Sequence, residues 1–187
     1  MIPLKSAEEI EAIARAGQII GKLLQEIPDR IRPGVTTGEL DAFTEDFIRG
    51  HEGAVPAFKG LYGFPASTCI SVNHEVVHGI PSDRRILEEG DLVSIDVGVL
   101  LDGWYADSAK TFPVGEIDAE AVRLLEVTER ALAAGIEQAV PGKRLGDVGH
   151  AIQTTAERAG FSVVRDLVGH GIGRKPHEDP QVPNGGR

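Results

Sequence analysis

The sequence has few of the residues that stabilise small secreted proteins or bind nucleic acids. Its single cysteine, Cys69, excludes an intrachain disulfide and is typical of a protein from a reducing compartment. Lys and Arg number 19 against 29 Asp and Glu, a net charge of −10, so a basic nucleic-acid-binding surface is not expected. Charges within the first dozen residues argue against a signal peptide or a membrane span. We therefore expect a cytoplasmic protein without a membrane partner and without direct nucleic-acid binding.

Helical and β-rich stretches alternate along the chain, which predicts an α+β fold. Capping-box patterns that begin at Ser6 and at Thr36 predict the starts of two helices, and Asp118 is expected to cap a third. A fourth helix is predicted from about Asp147 to Ala159. Strands are predicted at residues 68–72, 92–100, 104–112 and 161–168.

One pattern, P-G-x-x-x-G-[DE]-[LV], occurs twice, at Pro33–Leu40 and at Pro141–Val148. Each copy lies between a long predicted helix and a shorter one, which indicates an internal duplication; the alternative is a coincidence of common turn chemistry. The duplication predicts one domain of two half-repeats, residues 1–115 and 116–187. Only 45 residues follow Gly142, fewer than the first copy uses to complete its hairpin, so the second half-repeat is expected to be incomplete.

Two aspartates lie in the strands that flank Asp102-Gly103, a dipeptide typical of hairpin turns. If this dipeptide is a two-residue loop, Asp107 faces Gly98, and Asp96 lies two residues further along the same face of the strand. The alternative for Asp96 alone is an edge-strand residue that faces water. Two carboxylates on one inward face would repel each other unless a cation lay between them, so the pair predicts a metal site.

Three histidines are candidates for the same site. HEVVH, from His74 to His78, matches the zinc-peptidase pattern H-E-x-x-H, but that chemistry requires a helix. The paired valines and the following Gly-Ile-Pro predict a strand that leads into a loop, so we reject that interpretation and keep His78 alone as a site histidine. His170 and His177 lie in a segment rich in glycine and proline, where the backbone can approach a ligand closely. With the carboxylate pair, these residues predict a metal-dependent enzyme.

An apolar cluster surrounds the glycine-rich stretch before the first predicted strand, and its members are Phe58, Leu61, Phe64 and Cys69. It is either the edge of the core or a small hydrophobic binding pocket, and the residues alone favour neither.

Four segments together resemble the type I methionine aminopeptidases: LKSAEEIEAIARAGQI, NHEVVHGIP, SIDVGVLLDGWYADSAKTFPVG and VGHGIGRKPHEDPQVPN. The resemblance covers the whole chain. It implies the pseudo-twofold, duplicated "pita-bread" fold, with removal of the N-terminal methionine from nascent proteins by hydrolysis of the first peptide bond. The implied cofactors are two divalent metal ions, with cobalt, manganese, iron and zinc all compatible with oxygen and nitrogen ligands.

The resemblance also implies residue roles. Asp96, Asp107 and His170 would be metal ligands, with Asp107 bridging the two ions. His78 and His177 would contact the substrate and stabilise the transition state. The side chains that would line the methionine pocket are Phe58, Leu61, Phe64 and Cys69. Leu61 and Phe64 stand where many bacterial relatives carry tyrosine, so the pocket loses two hydroxyls.

Two glutamate ligands of the family have no counterpart in the 187 residues, so we expect a shortened chain with weak or no activity. The implied partners are nascent N-termini that begin with Met and a small second residue, met close to the ribosome. One alternative is a prolidase or aminopeptidase P, which shares the fold and the ligand set. Another is a non-catalytic peptide-binding module on the same fold.

Overall fold

The computed structural model describes residues 2–186, which form two compact units. The first unit contains Pro3–Ile117 together with Ile172–His177. The second consists mainly of Asp118–Gly171 and residues 178–186. None of the helices in residues 2–186 combines the length and the apolar composition that crossing a membrane requires.

The two helices of the first unit begin at the predicted capping boxes. Helix α1 spans Ala7–Glu26, and the Glu9 N–H donates to Ser6 Oγ (3.3 Å) while the Ser6 N–H donates to Glu9 Oε2 (2.9 Å). Helix α2 spans Thr37–Arg49 and starts with the same reciprocal pair of hydrogen bonds, now between Thr36 and Glu39. Both caps use two backbone donors that a helix start otherwise leaves unpaired.

The sheet of the first unit is antiparallel and contains β1 (Ala54–Pro56), β2 (Thr68–Val72), β3 (Leu92–Leu101) and β4 (Trp104–Pro113). Strand β3 pairs with β4 along its whole length, with β2 near its start and with β1 at its end. One face of β3 is fully buried in the core shared with α1 and α2, through Val93, Ile95, Val97 and Val99. The predictions of β2, β3 and β4 are confirmed; the three-residue β1 was missed, because so short a strand shows no alternation.

The second unit contains α3 (Ala119–Gln138), α4 (Leu145–Arg158), β5 (Val168–Gly171) and β6 (Glu178–Pro183). Asp118 caps α3 as predicted, its Oδ1 accepting from the Ala121 N–H at 2.8 Å.

The predicted strand at residues 161–168 is wrong, since only Val168 belongs to a strand. Gly160 has a φ of +83°, and the Phe161 N–H donates to the Ala156 carbonyl at 3.0 Å. This hydrogen bond closes the end of α4 and holds the following residues against the helix terminus instead of in a ladder. Strand β6, in a segment interpreted as a loop, was not predicted.

The two copies of the repeated pattern have matching local structure. Gly34 and Gly142 have φ values of +91° and +90°, in the left-handed region that favours glycine. The helices that follow them start at Thr37 and Leu145, and each is preceded by a 20-residue helix. These likenesses support the interpretation of the chain as two half-repeats, which stays a prediction.

Candidate metal centre

The hairpin β3–β4 brings Asp96 and Asp107 to one face of the sheet. Asp102 and Gly103 form a two-residue turn with φ values of +52° and +78°, the left-handed pair that a type I′ turn requires. Asp107 therefore faces Gly98, and Asp96 faces Ala109 two pairs further along. This is the register predicted from the length of the loop, and it places both carboxylates on the face opposite the valine-rich core.

The residues beside the two carboxylates are small. Gly98 and Ala109 face the two aspartates across the hairpin, and Cys69 on β2 faces Asp96 from the other edge of β3. A facing pair in an antiparallel sheet brings its side chains close together, so the small side chains of Ala109 and Cys69 leave space for a ligand next to Asp96.

The electrostatics of the pair match a cation site. Asp96 Oδ1 is buried and has no hydrogen-bond partner among residues 2–186. Burial, followed by the negative charge of Asp107 and the hydrogen bond to it, raises the pKa of Asp96 to about 7. A buried acceptor without a donor is destabilising, and a divalent cation would supply the missing partner for a carboxylate oxygen. The two aspartates therefore fit a divalent metal ion.

The described residues of the first unit provide no third metal ligand beside Asp96 and Asp107. In the described part of the chain, no three His, Cys, Asp or Glu side chains are grouped so that they could hold a metal ion. His170 lies in β5 of the second unit, where its Nδ1 is 2.9 Å from the Gly171 carbonyl oxygen. With Nδ1–H as the donor, Nε2 carries the lone pair, the arrangement found in metal-binding histidines. The role of His170 as a ligand stays a prediction.

The segment Ile172–His177 is attached to the hairpin of the first unit. The Tyr105 N–H donates to the Gly173 carbonyl at 2.8 Å, and the Arg174 guanidinium lies 4.0 Å from the centre of the Trp104 ring. A cation over an indole ring is a favourable contact. These contacts place His177 in the same compact unit as Asp96 and Asp107, although the half-repeat boundary had assigned it to the second half.

His177 stacks on Tyr62, a residue that no sequence motif predicts as part of the site. The ring centres are 6.0 Å apart and the planes are inclined by 29°. Tyr62 has a φ of +50° and is 87 % exposed, both unusual for a bulky aromatic residue. Strained and exposed side chains are enriched at functional sites, so Tyr62 joins the candidate residues. Its position between Gly60 and Gly63 was the only signal in the sequence.

His78 lies beside the face that carries the aspartates. No helix forms at residues 73–80, in agreement with the rejection of the zinc-peptidase pattern. The Gly79 N–H donates to Ser71 Oγ at 3.0 Å, and Ser71 shares the sheet face of Asp96. His78 is exposed, with a φ of +61°, so its side chain is accessible to a ligand at this edge.

The predicted pocket residues belong to the same sheet face or to the loop next to it. The Phe58 ring lies against Gly98, where a Cβ would come within 2.5 Å of the ring carbon Cε1. The Ala57 N–H donates to the Gly98 carbonyl at 2.9 Å, which fixes the start of that loop. Leu61 and Phe64 are half-buried. Cys69 is buried, and burial together with the two nearby aspartates raises the pKa of its thiol to about 12.

Comparison with known proteins assigns the chain to a family. Residues 11–187 match the model of metallopeptidase family M24. A methionine aminopeptidase of Clostridium perfringens is 54 % identical over 187 residues, which is 100 % of this chain and 74 % of that protein. The crystal structure of methionine aminopeptidase from Rickettsia prowazekii matches with a TM-score of 0.97 at 44 % identity, over 100 % of this chain and 75 % of that one. A prolidase from Pyrococcus furiosus matches with a TM-score of 0.84 at 27 % identity, over 97 % of this chain and 52 % of that one. The chain therefore belongs to the methionine aminopeptidases of metallopeptidase family M24 and has their pita-bread fold.

Proposed function

We propose that this chain removes the N-terminal methionine from proteins by metal-dependent hydrolysis of the first peptide bond. The observation that carries the proposal is the pair Asp96 and Asp107, on one sheet face with a buried carboxylate oxygen that lacks a donor. Membership of the methionine aminopeptidases gives the reaction and the substrate class. The prolidase alternative is less favoured, because the solved prolidase shares only 27 % sequence identity with this chain, against 54 % for the methionine aminopeptidase, and this chain spans about half of its length.

Three side chains are proposed to hold the metal: Asp96, Asp107 and His170. We propose that these residues would hold two divalent ions, with Asp107 as a ligand of both, and cobalt, manganese, iron or zinc would suit this mixture of oxygen and nitrogen donors. When bound, such ions polarise the scissile carbonyl and generate the hydrolytic nucleophile at neutral pH. The aspartates must be ionised to act as ligands, so Asp96 has to lose the proton that its raised pKa favours.

His78 and His177 are proposed to bind the peptide at the scissile bond. As N–H donors they would stabilise the negative charge that develops on the carbonyl oxygen during attack. The stack with Tyr62 would restrict the His177 ring and so orient this donor before the substrate binds.

The methionine side chain is proposed to enter the apolar pocket formed by Phe58, Leu61, Phe64 and Cys69. A thiol with a pKa of about 12 stays neutral, so the pocket presents no charge to an unbranched thioether. The substrates would be nascent chains in the cytoplasm, near the ribosome, with Met first and a small residue second.

The test combines peptide cleavage with metal binding. The chain is incubated with Met-Ala-Ser or with an Xaa-Pro peptide and excess Mn²⁺ or Co²⁺, and Mn²⁺ binding is measured separately by calorimetry. In line with the reduced ligand set, we expect only weak cleavage, of Met-Ala-Ser and not of the Xaa-Pro peptide, Mn²⁺ binding by the parent chain, and loss of both in Asp107→Asn. Preferential Xaa-Pro cleavage would support the prolidase alternative, and absence of divalent-ion binding in the parent would support a non-catalytic module.

A further inference from the structure

The pocket loop, residues 57–67 between β1 and β2, carries Phe58, Leu61 and Phe64 but little regular structure. Its only helix is the single 3₁₀ turn Leu61–Gly63. Internal hydrogen bonds close it on itself, such as the Gly60 N–H to the Phe64 carbonyl at 2.8 Å. Such bonds set the shape of the loop, and the bond from Ala57 to Gly98 fixes its first residue against the sheet, but neither holds the residues that follow. Contacts with another element must do that.

Helix α2 provides these contacts through two carboxylates one turn apart. Asp41 Oδ1 accepts from the backbone N–H groups of Ser67 (3.0 Å) and Thr68 (2.8 Å), at the point where the loop enters β2. Glu45 Oε2 accepts from Ser67 Oγ (2.9 Å) and from Lys59 Nζ (2.6 Å). Residues i and i+4 share one face of a helix, so a single face of α2 holds both the end of the loop and its start.

The contact between Glu45 and Lys59 differs from an ordinary surface ion pair. The side chains are 21 % and 46 % exposed, values at which an isolated pair contributes little. Here the same carboxylate oxygen also accepts from Ser67 Oγ, and Ser67 is fully buried, so the Glu45 side chain is held in one position for Lys59 to contact. The hydrogen bond from Lys59 is the main cause that lowers the pKa of Glu45 to about 2. Glu45 is therefore ionised throughout the pH range in which a peptidase works.

We propose that Glu45 and Lys59 are positioning residues for the methionine pocket. Lys59 adjoins Phe58, whose ring lies against Gly98, the residue that faces Asp107. By drawing Lys59 towards α2, Glu45 keeps the Phe58 ring on the sheet face and sets the width of the pocket. That the pocket binds a methionine side chain rests on the proposed function. The contact between Glu45 and Lys59 does not depend on it.

The single cysteine provides a test that needs no catalysis. Cys69 is buried in β2, two residues after the pocket loop, so a thiol reagent reaches it only when this region opens. We expect Glu45→Ala and Lys59→Met to speed labelling of Cys69 about three- to tenfold, the range for loss of one or two partly exposed charged hydrogen bonds. Arg49→Met is the matched control, because Arg49 binds the other Glu45 oxygen (2.8 Å) within α2 and does not touch the loop. It should label at the rate of the parent.

Kinetics then test whether the contact positions the pocket. Both loop variants should raise KM for methionyl peptides about threefold or more with kcat nearly unchanged, and should discriminate less against norleucine or leucine in the first position. The charge-reversed double variant Glu45→Lys/Lys59→Glu should restore part of the parental KM and labelling rate, since it re-forms the ion pair but not the carboxylate contacts with Ser67 and Arg49. Unchanged labelling in Glu45→Ala and Lys59→Met, or an equal effect of Arg49→Met, would overturn the proposal. Faster labelling in a chain that cleaves no methionyl peptide would leave the contact in place and refute the proposed function instead.

Discussion

Replacing Asp96 with asparagine should stabilise the metal-free protein at alkaline pH while abolishing its metal binding. Burial and the neighbouring charge of Asp107 raise the pKa of Asp96 from 3.8 to about 7. The folded protein therefore binds one more proton than the unfolded chain between these pH values. Its free energy of unfolding should fall as pH rises from about 4 to about 7 and then stay at the lower level.

The size of the effect follows from the same two pKa values. One pKa unit corresponds to about 1.4 kcal/mol, so the ionised Asp96 destabilises the metal-free fold by at most about 4 kcal/mol above pH 7. Asparagine has the shape of the protonated acid and carries no charge, so Asp96→Asn should recover about 2–4 kcal/mol at pH 8. Near pH 4 the parent and the variant should unfold with similar free energies.

Urea unfolding in excess EDTA at pH 4.5 and pH 8 measures both free energies. Asp102→Asn is the matched control, since it removes the same charge from an exposed turn where asparagine is well tolerated. Adding Mn²⁺ at pH 8 should stabilise the parent and the control but not Asp96→Asn. A variant that is less stable than the parent at pH 8 in EDTA would refute the reasoning, because it would show that the ionised carboxylate stabilises the metal-free fold.

Three further predictions concern the same face of the sheet. Mn²⁺ affinity measured by calorimetry should fall by up to about tenfold for each pH unit below 7, since protons compete with the ion for the half-buried Asp96 carboxylate. Gly98→Ala should lower the free energy of unfolding by about 1–3 kcal/mol and raise KM, because the new methyl group would overlap the Phe58 ring. Gly21→Ala is the control in the same urea assay: its new methyl group would meet nothing within 4 Å, so it should stabilise α1 by about 1 kcal/mol. Tyr62→Gly should reduce kcat without lowering the melting temperature, because glycine accepts the left-handed backbone while the stack on His177 is lost; a lower melting temperature with unchanged kcat would contradict it.

Features set by neighbours in the sequence could be predicted, and those set by distant contacts could not. The capping boxes at Ser6 and Thr36 and the shared face of Asp96 and Asp107 depend on local spacing, and all are present in the structure. The strand predicted at residues 161–168 failed because a hydrogen bond back to α4 overrides its β propensity.

The contacts that support the pocket and the site histidine have no periodic signal. Tyr62 meets His177, and Glu45 meets Lys59, across long separations in the chain. Their residue types are ordinary for an exposed loop and a helix surface, so composition gives no warning of a functional role. The attachment of Ile172–His177 to the first unit likewise depends on Arg174 meeting Trp104, which no half-repeat boundary predicts.

The same register determines the core and the site, so the hairpin cannot lose one without the other. Side chains alternate along β3, with Val97 and Val99 buried in the core and Asp96 on the opposite face. A slip of one residue between β3 and β4 would place Asp107 opposite a core valine and bury its charge among apolar side chains. The penalty for that burial, together with the type I′ turn at Asp102-Gly103, selects the one register in which both carboxylates meet. The apolar core on the other side of the sheet thus holds the two mutually repelling carboxylates in place. A bound divalent cation would relieve their repulsion, and this relief would contribute to the affinity for the ion.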